Sequence, residues 1–163
     1  MLKKAAASSW KTKPMPTIQK ELPLSGVYSA EEYEKISYGF LPKSQDDKWF
    51  IYLENDWLYI HRSVTGTCVF QLQIILEDEH YLAVKAIVNR DPSQYRSKSD
   101  QQDVELIAYL VDNLLLDRFA TLPTPKNMSE EDKQRHEQHV MGKKNSGGMI
   151  RLQVKQNGGQ KRQ

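Results

Sequence analysis

An α+β domain is the fold class the sequence predicts, and three observations carry it. Fourteen of the fifteen aromatic residues fall between Tyr28 and Phe119, so the core lies there. Four successive segments from Trp49 to Asn89 alternate apolar with polar side chains, and the segment after them carries apolar residues at helical spacing. The expected arrangement is a four- to five-stranded antiparallel meander with one long helix on its aliphatic face, a short N-terminal helix and flexible basic tails.

The elements follow in order. Pro14, Pro16 and Pro23, with no sustained periodicity, make the first twenty-odd residues an extended arm. Ser29 and Glu32 have capping-box spacing, which predicts a short helix over Ala30 to Ile36 burying Tyr33 and Ile36. Tyr38 to Leu41 can form an edge strand. Trp49 to Glu54 and Trp57 to Arg62 flank Asn55-Asp56, residues that tolerate the positive φ of a two-residue hairpin turn. That turn sets Leu53 opposite Leu58, Ile51 opposite Ile60 and Trp49 opposite Arg62 on one side, and leaves Phe50, Tyr52, Trp57, Tyr59 and His61 on the other.

A third strand places Cys68, Phe70, Leu72 and Ile74 on the aliphatic face. A three-residue turn at Glu77 to Glu79 would add Leu82, Val84, Ala86 and Val88 from a fourth. After the loop from Arg90 to Asp100, a helix from Val104 to Phe119 presents Val104, Ile107, Ala108, Val111, Leu114 and Leu115 to that face, with Glu105, Asp112 and Asp117 on its exposed flank. Residues 1–22 thus form a basic arm, 23–122 the domain, and 123–163 a polar helix and a Gly-rich basic tail. Met149 to Lys155 alternates apolar and polar residues and could join a sheet edge, although its composition favours disorder.

Charge is segregated. Residues 1–20 hold five Lys and 143–163 hold six Lys/Arg, neither with any acid, whereas 21–142 hold twelve basic and all twenty-one acidic residues, a net of −9. The basic ends serve as solvated arms or fold back on the acidic body, and any attraction to nucleic acid is expected to be weak, salt-sensitive and nonspecific. A single cysteine excludes disulfide scaffolds and paired-cysteine zinc sites. No apolar run reaches the ~18 residues of a membrane span, and a cytoplasmic address is the default.

The residues richest in chemistry are His61, Arg62, Ser63, Thr65 and Gly66, a strand end feeding a Gly-containing turn that can hold an anion with backbone N–H groups. The alternative roles are structural: Arg62 stacked on Trp49, His61 among aromatic rings, and Ser63 and Thr65 as turn formers. Pairing Ser63 with His61 as a nucleophile lacks the G-x-S-x-G elbow. Cys68 reads as a core residue. Asp132, His136 and His139 could face a metal from one helix, but without an H-E-x-x-H pattern they read as a solvated face. No P-loop, dinucleotide fingerprint or EF-hand loop is present, and no cofactor is expected.

The stretch from Trp49-Phe50-Ile51-Tyr52 through Trp57-Leu58-Tyr59-Ile60-His61-Arg62-Ser63 to Thr65-Gly66, with Asn89-Arg90-Asp91-Pro92 further on, resembles a signature of small uncharacterised bacterial α+β proteins. The resemblance covers roughly residues 38 to 118. Such domains look similar to ones that accompany ADP-ribose hydrolases, which implies a nucleotide or ADP-ribose connection and supplies no catalytic residue.

Five large rings on the side away from the helix require a cover: the N-terminal arm through Trp10, a second subunit, a partner protein or the stacked base of a ligand. The main expectation is a binding domain that uses this aromatic face for protein contact or homo-oligomerisation. The alternative is a small anionic ligand, a nucleotide or ADP-ribose, with its phosphate at the Arg62 to Gly66 turn. No catalytic set is assembled, so binding is expected ahead of catalysis.

Overall fold

The computed structural model describes residues 4–116 and the backbone of residues 153–154. Its centre is an antiparallel sheet of β1 (Gln19–Tyr28), β2 (Trp49–Glu54), β3 (Trp57–Arg62), β4 (Cys68–Glu77) and β5 (His80–Asn89), in the order β2-β3-β4-β5-β1. A two-residue β6 (Gln153–Val154) lies outside β1. The meander from β2 to β5 is as expected, and the α+β class holds. Helices α1 (Ala30–Tyr38) and α2 (Asp100–Leu110) complete the fold, with a single π-helical turn, Val111–Leu115, continuing α2. That turn closes when the Leu116 N–H donates to the Val111 carbonyl at 3.0 Å.

The N-terminal segment is more ordered than its prolines suggest. It runs from Gln19 into β1, which pairs with β5 from Gln19↔Asn89 to Tyr28↔Tyr81. Pro23 is tolerated because β1 is an outer strand beyond the short β6 contact, where a missing N–H donor costs little. Leu22, Leu24 and Tyr28 are its buried residues. Leu24 and Ser25 pair with Val154 and Gln153, so part of the tail joins this edge instead of remaining disordered. The rest of the proposed polar helix and tail, including Asp132, His136 and His139, lies outside the described residues.

The α1 capping box forms as read: Ser29 Oγ accepts from the Glu32 N–H at 3.1 Å, and Glu32 Oε1 accepts from the Ser29 N–H at 2.9 Å. Ile36 is fully buried, and Tyr33 stacks on Tyr81 with centroids 3.9 Å apart. The possible strand at Tyr38 to Leu41 reduces to a single bridge, Phe40↔Ile51.

Two register details correct the expected faces. The β4–β5 turn has two residues, not three: Asp78 and Glu79 take φ of 52° and 68°, and Glu77 pairs with His80. Ala83 therefore enters the core beside Ile74 where Leu82 was expected, and a bulge at Val84 restores Ala86 and Val88 to the core side. A second bulge, at Val69, sets Cys68 opposite His61 and turns it to the aromatic side, while Val69 and Phe70 both join the core. In each case one extra residue reverses the side-chain alternation.

α2 lies over the aliphatic face and begins at Ser99, whose Oγ accepts from the Gln102 N–H at 3.2 Å. It is buried more widely than an amphipathic stripe requires. α1 touches the π-helical turn and β6 touches α2, so Tyr109, Asp112 and Asn113 are enclosed, and Asp112 is not on an exposed flank. Asp117 lies outside the described residues.

Charge fixes the start of α2. Arg90 reaches Asp100 and the buried Asp103, both at 2.7 Å, and the Tyr95 hydroxyl donates to Asp103 at 2.6 Å. Lys20 of β1 adds a 2.6 Å contact to Asp100, holding its carboxyl below the usual carboxylate range. Removing Arg90 strands a carboxylate that is only 1% exposed. Arg90→Ala is therefore expected to cost about 3 kcal/mol or more in urea unfolding, and a loss below about 1 kcal/mol would contradict this role for the pair.

Candidate binding surfaces on the aromatic side of the sheet

The aromatic face exists because Asn55 and Asp56 both take positive φ, 53° and 71°. This conformation matches a type I′ turn, which allows only two loop residues and fixes the register Trp49↔Arg62, Phe50↔His61, Ile51↔Ile60, Tyr52↔Tyr59 and Leu53↔Leu58. Neighbouring strands extend the face into two rows. One runs Glu54, Trp57, Gln73, Lys85 and Pro23; the other runs Tyr52, Tyr59, Gln71, Ile87 and Glu21. Gln71 and Gln73 are the polar alternates of β4, and the register of β3 against β4 places them beside Tyr59 and Trp57.

The face is divided by its cover. Phe50, Tyr52 and His61 are 0%, 8% and 3% exposed, whereas Trp57, Tyr59, Gln71, Gln73, Lys85 and Ile87 remain half-exposed. The N-terminal arm closes the buried half. Ala5 packs with Phe50 and Tyr52, and Trp10 lies against Phe50 with centroids 6.3 Å apart. Backbone bonds pin the arm at both ends: Ala5 N–H to the Tyr38 carbonyl at 2.9 Å, and Lys13 N–H to the Gly66 carbonyl at 2.8 Å. Between them the Trp10 indole N–H donates to the Ser63 carbonyl at 2.7 Å.

Two glycines make this approach possible. A Cβ on Gly39, at φ 68°, would stand 2.2 Å from the Ile51 carbonyl oxygen and 2.9 Å from the Ala5 side chain. One on Gly66, at φ 80°, would meet the Lys11 carbonyl at 3.1 Å.

Beneath the arm the rings stack in series. Tyr52 lies 4.8 Å from Tyr59 and 5.8 Å from His61, nearly parallel to both. Burial, then the neighbouring Tyr59, pushes the Tyr52 hydroxyl up to about 12. Burial also pushes the Cys68 thiol up to about 12, so it is not a ready thiolate.

The Arg62 to Gly66 turn is largely satisfied from within. The N–H groups of Arg62, Ser63, Gly66 and Thr67 go respectively to the Thr67 carbonyl, the Lys48 carbonyl, the Arg62 carbonyl and Thr65 Oγ1. Those four amides are therefore already engaged within the protein. Arg62 stacks on Trp49, 4.8 Å from its ring, on the helix side of the sheet. Ser63 Oγ donates to the Asp47 carbonyl, Thr65 bonds Thr67, and His61 Nδ1 lies 3.0 Å from the Gly66 carbonyl. His61 and Ser63 are thus engaged separately, with no hydrogen bond between them among the described contacts.

Beside this turn is a groove of about 720 Å³ lined by Trp10 and Lys11 of the arm, the segment around Lys43 and Lys48, and Ser63. Sequence spacing gives no sign that these lysines share a groove, because the arm and the Lys43 to Lys48 loop are remote in the chain. Among the described residues, no group of three or more His, Cys, Asp or Glu is placed to hold a metal, and no helix is long and apolar enough to cross a membrane. Comparison with known proteins finds no matching family model, curated protein or solved structure.

Burial lowers the His61 pKa below its ordinary 6.5, with the Gly66 carbonyl acting in the opposite direction. The unfolded chain therefore binds this proton first, and as pH falls below about 6.5 the folded state loses stability. Between pH of about 7 and about 5, the urea midpoint of the natural chain should fall more than that of His61→Phe. Equal pH dependence would contradict a buried neutral imidazole.

Proposed function

We propose that the chain is a binding domain that contacts a protein, a second copy included, through the open half of the aromatic face. The observation that carries this reading is the pair of half-exposed rows in which Trp57 stands beside Gln73 and Lys85, and Tyr59 beside Gln71 and Ile87. Rings with amide neighbours suit a protein surface, where aromatic side chains are enriched and amides can satisfy a partner's backbone. Lys85 sits 5.8 Å over the Trp57 ring and 3.7 Å from Glu21. The closed half supports the same reading, because burial of Phe50 and Tyr52 under the arm confines contact to Trp57 and Tyr59.

Sedimentation equilibrium and partner capture test the proposal. Trp57→Ala with Tyr59→Ala should weaken self-association or partner binding about tenfold or more, the loss of two ring anchors. A chain that stays monomeric at millimolar concentration, with captured partners unchanged by the double substitution, would remove this reading.

A further inference from the structure

We infer that the groove between the arm, the Pro42 to Lys48 loop and Ser63 is a binding site for a nucleoside phosphate. This inference goes beyond the protein-contact reading and uses a different surface, so either can fail alone. The groove's volume of about 720 Å³ falls within the ~300–1,000 Å³ of small-molecule sites.

Its charge is one-sided. Lys11, Lys43 and Lys48 line it against a single carboxylate, Asp47, which already accepts the Lys43 backbone N–H at 2.8 Å. None of the three lysines is in an ion pair among the described residues, and the Lys48 ammonium makes only a 3.3 Å bond to the Gln45 carbonyl. Three lysines against one carboxylate around one concavity, on a chain whose residues 21–142 are strongly acidic, favour a multiply charged anion there.

The ring specifies the rest of the ligand. Trp10 lines the same groove, half-exposed, with its orientation set by the bond to the Ser63 carbonyl and by Phe50 behind it. A fixed indole offers a planar base a stacking surface without a further ordering cost. The other walls are also fixed before any ligand arrives. The Ser63 N–H donates to the Lys48 carbonyl at 2.9 Å, and the Ser63 hydroxyl to the Asp47 carbonyl at 2.9 Å. Phosphate goes to the lysines and the base to Trp10. The amides of the adjoining turn take no part.

The full chain titrated with ADP, followed by NMR at the Trp10 indole N–H, tests the site, with the Trp49 and Trp57 indoles as internal references. ADP should shift the Trp10 signal saturably, with adenosine and tripolyphosphate each binding about tenfold or more weakly. Lys43→Gln with Lys48→Gln should weaken ADP about tenfold or more, while Lys35→Gln on α1, outside the groove, leaves it unchanged. Lys11→Gln serves as the second variant if the pair perturbs the free protein's Trp10 signal. The inference is overturned if Trp10 does not respond at millimolar ADP, if tripolyphosphate binds as tightly as ADP, or if the lysine substitutions change nothing.

Discussion

The two positive φ values at Asn55 and Asp56 fix the register of β2 against β3, and the two faces of the sheet follow from that register. Because side chains alternate strictly, a slip of β2 by one residue would move Phe50 and Tyr52 to the helix side and bring Ile51 and Leu53 out, while β3 stays held by β4. The turn is therefore a condition for the whole domain. It delivers an aliphatic surface for α2 and an aromatic one for the arm, and the two bulges at Val69 and Val84 adjust the later strands to the same pattern.

A one-layer sheet with two apolar faces needs two covers, and they differ in kind. On the aliphatic side the cover is α2, seated by apolar packing and tied at its start to β1 and the Arg90 loop by the carboxylates of Asp100 and Asp103. The aromatic side is closed by a segment with a single 3-10 turn at Ala7–Ser9 and little apolar area of its own, held by backbone bonds at Ala5 and Lys13, one indole bond and two glycines that admit its close approach. This cover is narrow. It shuts the Phe50 half, leaves the Trp57 half open, and forms one wall of the lysine-lined groove at its margin.

Where local chemistry dictates structure, the sequence was informative. The hairpin register, the α1 capping box and the buried positions Val104, Ile107, Ala108 and Val111 all rest on contacts within a few residues or on simple periodicity. β1 was missed because Pro23 and a bulge interrupt its alternation, and because its partner β5 is remote in sequence. Cys68, Leu82 and Val84 were assigned to the wrong side since a bulge leaves no compositional mark. Asp112 reads as exposed in any helical wheel; only the contacts of α1 and β6 around α2 reveal otherwise. The aromatic face itself was visible as a set of five residues, but its division was not, because that depends on where the arm lies.

That division is the central claim, and the Trp10 indole reports on it directly in the unmodified chain. Nuclear Overhauser contacts from its ring to Phe50, together with slow solvent exchange of its N–H, are the predicted result, given the ring contact and the 2.7 Å bond to Ser63. A freely exchanging Trp10 N–H with no contact to Phe50 would contradict the account, because Phe50, Tyr52 and His61 would then lie open beside Trp57 and Tyr59.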